Sequence, residues 1–159
     1  MNKFLFRFGG VVLILISISY CKVVQKAKTG ADAFDRKQYF LSANLYEKEF
    51  ENNRNPGARA KLAYGAAISY QKMNETNQAA QWFKQAADLD FGDLAWKEYA
   101  SSLVQLGQYD AAISTLETLQ NKKGNSDEIR VLISQIKQAA LLAQDQLQFY
   151  SVQLLDINS

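Results

Sequence analysis

Apolar residues recur at every third or fourth position through most of this chain, and polar punctuation interrupts them at regular intervals. Turn-forming clusters stand at Asn52-Asn-Arg-Asn-Pro-Gly57, Asn74-Glu-Thr-Asn77, Asp90-Phe-Gly-Asp93, Gly107-Gln108 and Lys122-Lys-Gly-Asn-Ser126. The segments between them run for about 12–16 residues, the length of an ordinary globular helix. Alanine, leucine, glutamine, lysine and glutamate dominate residues 22–148, and Pro56 is the only proline. These residues favour helix, and no alternating β-branched run precedes residue 150. The pattern predicts an all-α fold of helix, turn and helix, repeated.

The second helix of each pair places a small residue one turn before a bulky one: Ser42 and Tyr46, Ala79 and Phe83, Ala112 and Leu116. The intervals are 37 and 33 residues, bracketing the ~34 of a tetratricopeptide (TPR) unit. Over residues 23–148 the chain resembles the TPR family. A third unit matches at Trp96, Tyr99, Ala100, Leu103, Gly107, Tyr109, Ala112 and Leu116. A second matches at Ala63, Ala66, Ala67, Tyr70, Ala79, Phe83 and Ala86, and a degenerate first keeps Gly30, Tyr39, Ser42 and Tyr46. The first unit carries Glu49 where the others have Ala86 and Leu119. Phe91 stands where an inter-repeat proline is usual. The resemblance implies a helical-hairpin solenoid of about three repeats.

From Asp127 to Gln148, Ile129, Leu132, Ile133, Ile136, Ala140, Ala143 and Leu147 form one apolar face, which predicts a capping helix that closes the stack. Asn125 or Ser126 is its expected cap, with Asp127 and Glu128 in the first turn. Beyond it, Phe149-Tyr-Ser-Val-Gln-Leu-Leu-Asp-Ile157 reads as a strand. The tail 149–159 is therefore expected to be strand-like, the start of a following β-domain.

At the other end, Met1–Phe8 is short and basic, and an apolar run of 13 residues follows from Phe8 to Tyr20. That is a secretory leader over 1–20, too short for the ~20 residues of a membrane span. Ile18-Ser19-Tyr20-Cys21 resembles a bacterial lipobox at three positions and departs at Tyr20, where a small residue is usual. The resemblance implies lipidation of Cys21, the only cysteine; an ordinary leader cut elsewhere is the alternative. Lys22, Lys26 and Lys28 follow the anchor, either against an anionic surface or on a solvated helix.

Composition removes most chemistry. Histidine is absent, which leaves no general base poised near neutral pH and no Ser-His or Cys-His dyad. A single cysteine makes neither an internal disulfide nor a thiolate zinc site. Lys3 and Arg7 are the only charged residues of the leader; taking those two from 18 basic residues leaves 16 against 16 acidic. No basic stripe remains for nucleic acid. No cofactor and no metal are expected. Asp88-x-Asp90-x-Gly92-Asp93 has part of a calcium loop, but its twelfth position is Tyr99, so it reads as a repeat linker with Asp93 as N-cap. Glu47, Glu49 and Glu51 spread around one helix, and Trp82 and Trp96 fall at packing positions.

Taken together, the leader, Cys21-Lys-Val-Val-Gln-Lys-Ala-Lys28, Phe34–Phe50 and Val152–Ser159 resemble the N-terminal part of certain Bacteroidota outer-membrane lipoproteins. Those proteins combine TPR repeats, a β-propeller and an OmpA-like domain. The resemblance implies a non-enzymatic scaffold on the periplasmic face of the outer membrane, within the type IX secretion and gliding machinery. It implies envelope-protein partners, with peptidoglycan a partner only if an OmpA-like domain follows. A BamD-like lipoprotein of outer-membrane protein assembly is the alternative, although such proteins usually carry about five repeats. A soluble periplasmic adaptor is another. An envelope hydrolase would need two carboxylates facing one cleft, and the spacing offers none.

In TPR proteins the first helix of each pair lines a concave groove. The matching positions are Phe34 and Asp35; Lys61, Tyr64, Ile68, Gln71 and Lys72; and Leu94, Lys97, Ser101, Val104 and Gln105. Lysines beside a tyrosine and glutamines suit a peptide backbone or an acidic segment. A solvated helix face, or a groove filled by the chain's own C-terminal helix, fits the same residues.

Overall fold

Two helix starts follow side-chain capping chemistry written in the chain. A computed structural model describes residues 26–124 and 126–157. Thr29 accepts the amide of Asp32 to open α1 (Gly30–Asp35), and Asn55 accepts that of Ala58 to open α3 (Pro56–Lys72), with Pro56 in the first turn. The other helices are α2 (Tyr39–Asn52), α4 (Thr76–Asp88), α5 (Asp93–Gln105), α6 (Tyr109–Lys123) and α7 (Asp127–Ile157). Helices consecutive in sequence pack on each other, and α1 also touches α3. The architecture is an all-α solenoid of TPR type: three hairpins, α1/α2, α3/α4 and α5/α6, followed by α7.

The three hairpin turns are one structure used three times. Lys37, Asn74 and Gly107 all adopt left-handed backbone, with φ of 59°, 59° and 73°. In each turn the next amide reaches back five residues: Gln38 to Ala33 O (2.9 Å), Glu75 to Tyr70 O (3.1 Å) and Gln108 to Leu103 O (2.8 Å). These bonds satisfy carbonyls that the helix end leaves open.

Two layers result. The first helices of the pairs are tied side by side: Gln71 on α3 donates to Glu98 on α5 (3.1 Å), and Lys97 on α5 pairs with Glu128 on α7 (2.6 Å). In the second layer, Trp82 on α4 donates to Glu47 on α2 (3.1 Å). Between the layers the core is rich in alanine, which lets helix axes approach closely. Ala63, Ala66, Ala67, Ala79, Ala86 and Ala112 are all buried, with Phe83, Leu116 and Leu119 as the large fully buried side chains. Trp96 and Tyr99 join one core cluster to the next.

The first unit departs from the others for reasons visible in its contacts. Ser42 occupies the small position, and its hydroxyl donates to Gly30 O (2.8 Å). Glu49, at a position otherwise apolar, accepts the amide of Gly30 at the start of the short α1 (2.8 Å). Tyr46 packs against Gly30 and Gly65, where an added Cβ would lie 2.4 and 2.5 Å from its ring. Tyr39 meets Phe34 edge-on at 5.4 Å.

Two expectations are corrected. The tail is not a strand: α7 continues as helix through Ile157. In sequence, Leu147, Tyr150, Leu154 and Ile157 also recur at helical spacing, and extending an existing helix needs no new nucleus. The N-cap of α5 is Gly92, at φ 122°, and Asp93 is the first helical residue. Phe91 replaces the linker proline by packing, its ring stacked on Tyr64 at 4.2 Å. The leader 1–20, Cys21 and Asn125 lie outside the described residues; Ser126 O accepts the amide of Arg130 at the start of α7. Among the described residues no helix is long and apolar enough to cross a membrane.

Candidate functional site

Along α3 the side chains of Lys61 and Lys72 are exposed, while every residue from Leu62 to Gln71 is half-buried or buried. Eleven residues are close to three helical turns, so both lysines stand on one face, ~16 Å apart along the axis. Neither makes an ion pair with the described residues. Ile68 lies between them, half-buried.

The neighbouring helix continues this surface. On α5, Leu94 (50% exposed), Ser101 and Gln105 are open to solvent, and Val104 is half-buried. Lys97 is turned toward α7, where Glu128 takes its ammonium. On the α1 side Asp35 is exposed, whereas Phe34 spends one face on Tyr39.

Tyr64 and Gln71 are partly committed to the fold. The Tyr64 ring stacks on Phe91 and meets Phe83 edge-on at 5.5 Å. Burial raises its hydroxyl above the usual phenol value, and the charge of Glu98 adds to this. Glu98 also receives the amide of Gln71, so one carboxylate organises two of the expected groove residues. Glu98 and Glu128 escape sequence reasoning because their role depends on which helix lies alongside. Only the 33-residue spacing of the repeats, which sets α5 beside α3, could have pointed to Glu98.

The remaining singled-out residues serve the scaffold. Tyr70 donates to Glu47 Oε1 (2.7 Å), the same oxygen that receives Trp82. Burial first, then Glu47 and Glu75, pushes the Tyr70 hydroxyl up to about 12. Asp88 pairs with Lys84 one turn earlier in α4 (2.6 Å) and Asp93 with Lys123 at the end of α6 (3.3 Å), so two carboxylates of the Asp88–Asp93 stretch are held by lysines.

The surface thus offers cations at both ends of a helical stripe, amides and hydroxyls beside them, and a shallow apolar floor. That combination can hold an extended peptide carrying carboxylates. Neither a family model nor a curated protein matches the chain. Solved structures do match in fold. One is the second TPR domain of the human RPAP3 protein, determined by NMR in complex with the HSP70 peptide SGPTIEEVD. Its TM-score is 0.55, with 23% identity, over 68% of this chain and 88% of that one. A likeness at that identity shows the fold, a TPR-type solenoid.

Proposed function

We propose that this chain is an interaction scaffold that holds a carboxylate-bearing peptide segment of an envelope protein across α3 and α5. The observation that carries this reading is the pair Lys61 and Lys72, unpaired among the described residues and framing one helix face. A buried or paired lysine would serve the fold; two exposed ones flanking Ile68 serve the fold nothing. A solved neighbour of the same fold is complexed with a peptide, which supports the choice of partner class. The role is binding and not catalysis.

The scaffold works from a lipid on Cys21, at the periplasmic face of the outer membrane, within type IX secretion and gliding machinery. The leader, the position of Cys21 and the overall resemblance of the chain support that setting. Two measurements test the two parts. Photo-crosslinking from position 68 in cells, with the captured protein identified by mass spectrometry, is expected to lose its product in a Lys61→Glu, Lys72→Glu variant; undiminished capture overturns the groove. The intact mass of the protein from the envelope fraction is expected to fit cleavage before Cys21 plus a diacylglyceryl group. A plain peptide mass overturns the anchor.

A further inference from the structure

Phe40 is 74% exposed, the most open of the large apolar side chains among the described residues. It lies three residues after the left-handed turn position of the first hairpin. At the same place the second and third hairpins carry Asn77 and Asp110, both exposed. The solenoid therefore does not need an aromatic there. The turn itself departs in the same way: Lys37 stands where the other hairpins use Asn74 and Gly107, residues suited to a positive φ. The first hairpin thus carries an exposed phenyl ring and a lysine at two neighbouring positions that folding does not ask for.

Around them a cavity of about 510 Å³ opens, lined by Lys26, Gln38, Tyr39, Phe40 and Leu41. Lys26 lines it and Arg36 and Lys37 adjoin it in sequence, against Asp32 and Asp35, while Lys28 lines a separate cavity with Lys48, Glu49 and Asn52. Asp32 is bound to Arg36 (2.7 Å) and to the amide of Lys28 (3.2 Å). An apolar ring in a basic surround is the pattern that settles at a lipid headgroup boundary. Five residues separate Cys21 from Lys26, a reach of at most ~17 Å.

We infer that the first hairpin turn, with Phe40 at its tip and Lys26 and Lys37 beside it, is a foot that rests on the membrane carrying the lipid anchor. The inference rests on the lipid-anchor reading of Cys21, and it adds an orientation: the solenoid stands on its first hairpin.

The test uses the full chain, extracted from the envelope and placed in vesicles of phosphatidylethanolamine and phosphatidylglycerol with brominated acyl chains. Trp82 and Trp96 give the baseline in the unaltered protein. Emission from Phe40→Trp is expected to be quenched well beyond that baseline. Emission from Glu51→Trp, at the opposite end of α2, is expected to match the baseline. Equal quenching in the two variants, or none in Phe40→Trp, overturns the foot. Intact mass of the same samples reports acylation separately: a chain without diacylglycerol whose Phe40→Trp is still quenched keeps the foot and removes the anchor. Blue-shifted Phe40→Trp emission that grows with protein concentration, without vesicles, identifies a second copy as the occupant and also overturns the proposal.

Discussion

The ring of Tyr46 occupies the space that a side chain at Gly65 would need. A Cβ on Gly65 would sit 2.5 Å from Tyr46 Cζ, and neighbouring ring carbons lie at 2.6 and 2.8 Å. The first two hairpins meet at this contact. Gly65→Ala is expected to destabilise the protein by about 1–3 kcal/mol, as overpacking does in a core that cannot shift. Gly57→Ala is the control, since a Cβ there meets only Asn55 at 3.5 Å. It should hold or raise the melting temperature, because alanine outranks glycine in a helix by ~0.5–1 kcal/mol. Equal thermal melts for the two variants would show that Tyr46 moves freely.

A hydroxyl chain links the same hairpins. Ser42 Oγ lies 2.8 Å from Gly30 O and 2.8 Å from Ser69 Oγ, which is itself 2.8 Å from Gly65 O. Two protons serve three contacts. Ser42→Ala removes the tie between α1 and α2 and is expected to cost about 1–3 kcal/mol. Ser69→Ala leaves Ser42 its proton for Gly30 and is expected to cost less. Urea midpoints of both variants and of the double variant check this order.

The helical period, the repeat interval and the small-then-bulky pattern are legible in the sequence itself. Ser42, Ala79 and Ala112 are buried as expected, and Phe83 and Leu116 fill the core. What the chain hides is pairwise. Gly65 has no signal of its own until Tyr46 is set beside it, and Glu47 looks like a surface carboxylate until Tyr70 and Trp82 converge on it. The end of the chain misled for a different reason. Aromatic and β-branched residues after Phe149 favour strand locally, yet they also sit at helical spacing, and the running helix decides. Of the groove residues, the exposure of Lys61 and Lys72 follows from helical phase. The pairing of Lys97 with Glu128 depends on where α7 returns, which no local pattern encodes.

Alkaline pH should loosen the fold through its tyrosines. The Tyr70 hydroxyl is pushed up to about 12 by burial and by Glu47, and Tyr46 and Tyr64 are also raised by burial. In the unfolded chain these groups return to 10. The folded state holds their protons to higher pH, so the stabilisation is whole below pH 10 and is lost as pH rises toward about 12. Urea midpoints measured across that window should fall. In Glu47→Gln the Tyr70 hydroxyl should ionise at lower pH and the fall should be shallower; a midpoint flat with pH would refute the assignment.

The three turns invite an exchange of residues. Lys37 holds a left-handed conformation that costs an L-residue roughly 1–2 kcal/mol, and glycine gives back ~0.5–1 kcal/mol in chain entropy. Lys37→Gly is therefore expected to stabilise by about 0.5–1 kcal/mol. Gly107→Ala, at φ 73°, is expected to destabilise by a similar amount even though a Cβ there meets nothing within 4 Å. Calorimetry of the two variants reads both signs.

Because helices consecutive in sequence carry the packing, with α1 against α3 the short-range addition, no extensive contact among the described residues clamps the first hairpin to the last. A load applied between the two ends of such a stack passes through every interface in series, and the weakest hairpin yields before its neighbours. A stack built this way is compliant. It can lengthen by opening one hairpin while the others hold, and it recoils when the pull is released.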